Sequence, residues 1–185
     1  MHDDARRWNE RYSTTTRIDP DPPEVLERWP HLTSLVPMSG RCIDVASGPG
    51  PVTLWLAERG LDVTALDTSD VAIDLLQTAV TAVGCADRVD ARIIDLDDGL
   101  PDDLHDLDLI VCQRFRDPAL YPAFIDRLRS GGVAMITVLS TVGAGEPGPF
   151  HAPPGELRMA FTDGRCEILH HSEDTGIAHV VIRRR

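Results

Sequence analysis

Two carboxylates and two glycines give residues 42–67 a chemistry that phosphate-binding loops lack. Asp44 lies in a short apolar strand, Cys42-Ile43-Asp44-Val45, and the chain then turns through Gly48 and Gly50. Asp67 closes the next apolar run, Leu61 to Leu66. Backbone N–H groups at the start of a helix attract anions, and a neighbouring aspartate opposes a phosphate there. The nicotinamide fingerprint also asks for Gly-x-Gly-x-x-Gly/Ala after its first strand, and Thr53 stands at the third small position. A ligand with an ammonium, a sulfonium and a ribose, but no pyrophosphate, suits these groups better, and S-adenosylmethionine is that ligand. Asp44 would favour the ammonium directly or through water. Gly48 and Gly50 would allow close backbone approach. Asp67 has two oxygens for the two ribose hydroxyls. The alternative for Asp67 is a helix N-cap, a task that Thr68 or Ser69 can take instead.

The elements that must hold these groups follow from apolar runs alternating with helical patterns. Strands are expected at 41–45, 61–66, 88–94, 107–112, 132–139, 165–171 and 177–183. Helices are expected at 51–59, 69–83, 118–129 and 155–161, with two more in the N-terminal segment at 3–12 and 22–29. Gly60, Gly84 and Gly131-Gly132 mark the expected helix ends. Such alternation implies parallel strands joined by right-handed crossovers, with an antiparallel ending. The fold class is α/β, a three-layer Rossmann-like sandwich around a seven-stranded, mostly parallel sheet. One domain is expected over 1–185: a helical lid segment at 1–40, a cofactor-binding core at 41–139, and a C-terminal helix and hairpin at 140–185.

Residues 42–50 resemble motif I of the class I S-adenosylmethionine-dependent methyltransferases, an apolar strand followed by Asp/Glu-x-Gly-x-Gly-x-Gly. Asp44 matches the acid, Gly48 and Gly50 the later glycines, and Ala46 stands at the first. Alanine there is a mild departure if the backbone needs no positive φ. The resemblance implies strand order 3-2-1-4-5-7-6. It also implies that Asp95 meets the adenine amino group, that Leu96 offers its N–H to the ring, and that the backbone of Cys112 and Gln113 passes the methionine end. Three further segments, Trp8-Asn-Glu-Arg-Tyr12, Arg114-Phe-Arg-Asp-Pro118 and Pro154-Gly-Glu-Leu157, are similar to the tellurite-resistance-like and thiopurine-methyltransferase-like small-molecule enzymes. In those relatives the N-terminal aromatic segment folds over the cofactor, so Trp8, Arg11 and Tyr12 become lid candidates.

Methyl transfer needs alignment in a site sealed from water more than it needs a dedicated base, so no catalytic residue is assigned. The candidates are Arg114 and Arg116, which can hold an anionic acceptor by paired hydrogen bonds, and Tyr12. His105, His170, His171 and His179 read as exposed or structural, and Cys112 as a buried, inert thiol. The acceptor classes left open are a thiol, a chalcogen oxyanion, a phenol and a small carboxylate. A non-catalytic binder of the same cofactor and an oxidoreductase are the rival readings. A formal charge of −12, with 18 basic residues that are all arginine, argues against a nucleic-acid partner, which would need a basic face. Cys-Gln-Arg-Phe after the fourth strand also lacks the Asn/Asp-Pro-Pro-Tyr/Phe of adenine- and glutamine-directed enzymes. Four scattered cysteines imply free thiols and no metal site. With neither an apolar signal segment nor a membrane-length run, a cytoplasmic, soluble monomer or homodimer acting on a small molecule is expected.

Overall fold

Apolar runs become strands, and the five that lie parallel bring their carboxyl ends to one edge. The computed structural model describes residues 2–185, with side chains from Asp4 onward. Its strands are β1 (Gly40–Val45), β2 (Leu61–Asp67), β3 (Val89–Ile93), β4 (Leu107–Gln113), β5 (Leu128–Leu139), β6 (Cys166–Asp174) and β7 (Ile177–Arg184). They form one sheet in the order β3-β2-β1-β4-β5-β7-β6, which is the order expected. Pairing is parallel from β3 through β5 and antiparallel for β5–β7 and β6–β7.

The helices are α1 (His2–Tyr12), α2 (Glu24–Arg28), α3 (Pro51–Glu58), α4 (Asp70–Val83), α5 (Tyr121–Arg127) and α6 (Glu156–Ala160). Two apolar cores lie on opposite faces of the sheet. One packs Ile43, Ile110 and Ile136 against Phe124 and Phe161, and the other packs Val63, Val111 and Met135 against Val25, Leu54 and Leu76. Because strand side chains alternate, Cys42-x-Asp44, Ala65-x-Asp67, Val111-x-Gln113 and Met135-x-Thr137 place apolar groups in the second core and polar groups at its carboxyl edge. Ligands of open α/β sheets bind at this edge, where strand order reverses between β1 and β4.

Two of the boundaries that differ from expectation have a local cause. The helix expected from residue 118 starts at Tyr121, because Asp117 turns the chain first: its carboxylate accepts from Ala119 N–H at 2.9 Å and its carbonyl from Leu120 N–H at 3.1 Å. The Gly131-Gly132 pair does not end a helix. Strand β5 already runs from Leu128, with a register shift opposite Leu107 and Leu109. A side chain at Gly132 would lie 2.6 Å from the Leu107 carbonyl, so glycine permits this close crossing.

Candidate functional site

The N-terminus of α3 is where a phosphate would bind, and the protein's own carboxylate occupies it. Asp44 is only 3% exposed and accepts the Thr53 hydroxyl at 2.7 Å. Burial raises its pKa to about 7, and the nearby Asp67 adds to this, while the Thr53 hydroxyl and N–H pull it down. Thr53, which departs from the dinucleotide fingerprint, is therefore the group that holds Asp44 at the head of the helix. A pyrophosphate would meet this carboxylate instead of free N–H groups. A cationic group suits the place.

Between β1 and α3 the turn is left-handed three times, at Ala46 (φ 55°), Gly48 (φ 55°) and Gly50 (φ 86°). The alanine at the first glycine position is therefore not the mild departure expected from sequence, since an L-residue in this region is strained. Ala46→Gly should raise folding stability by about 1 kcal/mol, read as a higher urea midpoint at unchanged slope. A lower midpoint would contradict the left-handed turn. The two glycines face contacts as well. A Cβ on Gly50 would run into Leu76, and one on Gly48 would stand 2.8 Å from the Tyr12 hydroxyl.

Asp67 ties this turn to the next strand end. Its Oδ2 accepts Gly48 N–H at 2.7 Å and its Oδ1 accepts Ser69 N–H at 2.9 Å. Burial lifts its pKa, against the pull of the Ser69, Gly48 and Thr68 N–H groups. Asp67 is not the cap of α4: Ser69 is, accepting from Ala72 N–H at 3.0 Å. Asp67 thus keeps lone pairs for further donors. Thr68 stands half-buried between them.

Helix α1 lies over the same turn. Asn9 anchors it, accepting from the Ser69 hydroxyl and donating to Asp70, both at 2.6 Å. Trp8 and Tyr12, one helical turn apart, stack at 5.8 Å between centroids. Burial and the charge of Asp67 push the Tyr12 hydroxyl up to about 12, against the pull of Arg11, so it stays protonated and is no ready base. Arg11 lies over the Trp8 ring, and Arg7 lies over both Trp8 and Phe150 from the loop after β5. Sequence reading reaches Asn9 only as part of its motif. A polar residue one turn before Tyr12, facing the next helix cap, is the signal that could have singled it out.

Along the rest of the edge, Asp95 caps a short turn by accepting Asp97 N–H at 3.1 Å, and Leu96 is buried beside it. Cys112 is buried, its thiol pKa pushed up by burial and by the charge of Asp44, which leaves it inert. The Gln113 side chain accepts the Glu24 N–H. Both arginines expected to hold an anionic acceptor pair with carboxylates of the chain itself. Arg114 forks onto Glu24 at 2.9 and 3.2 Å, and Arg116 forks onto Glu156, which also accepts the Tyr121 hydroxyl. Thr137 and His179, neighbours across β5 and β7, share a buried hydrogen bond of 2.9 Å beneath Trp29. Burial lowers the His179 pKa to about 4, so it is neutral at physiological pH. In the sequence His179 reads as exposed or structural, and Thr137 and Glu24 are passed over, although Thr137 is a lone polar residue inside an apolar run.

Residues 42–132 match the family model described as Methyltransferase domain. That stretch of the chain is a methyltransferase domain. No curated protein matches the chain. Among solved structures it is similar to TehB from Haemophilus influenzae, at 18% identity and TM-score 0.73, over 98% of this chain and 67% of that one. It is also similar to geranyl diphosphate C-methyltransferase from Streptomyces coelicolor A3(2), at 13% identity and TM-score 0.75, over 100% and 98% of the two chains. That relative was crystallised with S-adenosyl-L-homocysteine. An S-adenosylmethionine-dependent methyltransferase from Mesorhizobium loti is 18% identical with TM-score 0.68, over 85% and 97%. The cofactor of this methyltransferase is S-adenosylmethionine. The residues present fit it: an acid in place of a phosphate cradle, a glycine whose missing Cβ leaves room under Tyr12, and a carboxylate with spare acceptors.

Proposed function

We propose that this methyltransferase acts on a small-molecule acceptor, in the manner of the tellurite-resistance-like and thiopurine-methyltransferase-like enzymes. The observation that carries this is helix α1, pinned by Asn9 to the head of α4 with Tyr12 over Gly48. Such a roof suits a small acceptor better than a macromolecule. The likeness to TehB supports the reading at the level of fold. S-adenosylmethionine supplies a methyl group activated on a sulfonium. Asp44 favours its ammonium, Asp67 its ribose hydroxyls, Asp95 and Leu96 the adenine, and the backbone of Cys112 and Gln113 the methionine end. Trp8, Arg11 and Tyr12 exclude water from above. The acidic chain works as one domain, in the cytoplasm, without nucleic acid. Among the described residues no helix is long and apolar enough to cross a membrane.

Release of S-adenosylhomocysteine is the test, since it accompanies methyl transfer to any acceptor. Thiols and phenols should give turnover that is lost when residues 1–16 are deleted, while cofactor-free folding persists because β1 starts only at Gly40. Turnover with protein or nucleic acid and none with small molecules would contradict the proposal.

A further inference from the structure

Arg114 follows directly on β4, beside the switch point, and its backbone is left-handed at φ 56°. Its N–H donates to the Thr137 carbonyl at 2.7 Å, which fixes the chain as it leaves the sheet. From there the guanidinium reaches Glu24, the first residue of α2, ninety positions earlier in sequence. Both guanidinium nitrogens facing Glu24 are used, Nε on Oε2 and Nη2 on Oε1. Glu24 is pinned too. Its N–H donates to the Gln113 side chain, and the next two residues, Val25 and Leu26, are buried in the core. The backbones of both partners are therefore fixed where the two side chains meet.

We infer that Glu24 is a specificity-determining residue: its carboxylate fills the Arg114 fork and so turns away acceptors carrying a carboxylate or other oxyanion. This rests on the small-molecule reading above and narrows it to acceptors whose only polar group near Arg114 is uncharged, such as simple thiols and phenols. An exposed ion pair is weak in itself, and the Arg114 side chain is 61% exposed. Selection here comes from occupancy. A tethered carboxylate held opposite the guanidinium acts at a high effective concentration, and a free anion must displace it. The surroundings work in the same direction. The other arginine of the segment, Arg116, is held by Glu156. An acceptor anion therefore meets carboxylates before it meets an available cation on the β4 loop.

The test is calorimetric titration of para-toluenethiol and para-mercaptobenzoate into protein saturated with S-adenosylhomocysteine. These differ in a methyl group against a carboxylate, with the same thiol. The parent should bind the uncharged thiol more tightly, by roughly tenfold or more. Glu24→Gln keeps the backbone N–H on Gln113 and frees the Arg114 fork, so it should erase or reverse that ratio. Adding Arg114→Ala to Glu24→Gln should remove the gain for the carboxylate, and Glu24→Asp should retain parental selectivity. Undiminished S-adenosylhomocysteine binding by each variant shows that it is folded. A parent that takes both thiols equally, or a ratio unchanged in Glu24→Gln, overturns the inference. Because the readout is binding, it stands apart from the turnover test of the small-molecule reading, and either can fail alone.

Discussion

Replacing Asp67 with alanine should weaken S-adenosylhomocysteine binding by roughly 1.5–3 kcal/mol, about ten- to a hundredfold, the range for hydrogen bonds to a charged group. Asp67 sits at the end of β2 with one backbone donor on each oxygen, Gly48 N–H and Ser69 N–H. In the proposed role the same oxygens also receive the ribose hydroxyls. Alanine removes those acceptors and frees the glycine turn that the cofactor must approach. Folding stability should change much less, for two reasons. Ser69 caps α4, so the helix start survives, and removing a buried carboxylate relieves the desolvation that raises its pKa. Asp67→Asn, which keeps one oxygen for Gly48 N–H, should fall between alanine and the parent. Calorimetry on the three proteins, with urea unfolding alongside, separates the effects. Equal binding by Asp67→Ala and the parent would remove Asp67 from the cofactor site.

The placement of strands and helices is legible in the sequence because it rests on patterns within single segments, whereas the order of the strands is implied by the family resemblance. Apolar runs of strand length, alternating with helical periodicity and punctuated by Gly60 and Gly84, leave few topologies open. The acids Asp44 and Asp67 are legible because a carboxylate at an apolar strand end is costly unless it serves a purpose. Backbone state is not. Whether Ala46 sits at positive φ depends on the turn that β1, β4 and α3 impose together. Pairings distant in sequence are hidden as well. With 22 aspartates and 8 glutamates available to 18 arginines, nothing local singles out Glu24 for Arg114 or Glu156 for Arg116. Thr53 shows both sides at once. In the sequence it stands out as a missing small residue, while its role as the hydroxyl partner of Asp44 needs α3 in place. The α5 boundary is misplaced because Asp117 supplies a competing side-chain turn.

The buried Asp44 gives the second large effect, and its sign is fixed by its raised pKa. A carboxylate whose folded pKa lies at about 7, above its unfolded value of 3.8, stabilises the fold below the unfolded pKa. That contribution is lost as pH rises through 7. Without cofactor, the fold should therefore lose up to about 4 kcal/mol from this group between pH 4 and pH 8. Cofactor binding should run the other way. In the proposed contact the ammonium favours ionised Asp44, so binding below pH 7 expels its proton. Affinity should then drop by up to about tenfold for each unit below 7. Above roughly pH 8 an amino group begins to lose its own charge, which sets the upper limit of the window. Asp44→Asn should flatten the dependence below 7 while lowering affinity near neutrality.

Titration of S-adenosylhomocysteine at pH 7.5 and at pH 5.5, with NAD as the parallel ligand, tests the central claim most directly, because the Asp44 carboxylate, which suits an ammonium and opposes a pyrophosphate, is what separates the two. S-adenosylhomocysteine should bind at the higher pH, weaken at the lower with proton release to the buffer, and leave NAD without measurable heat. Binding of NAD with none of S-adenosylhomocysteine would contradict it.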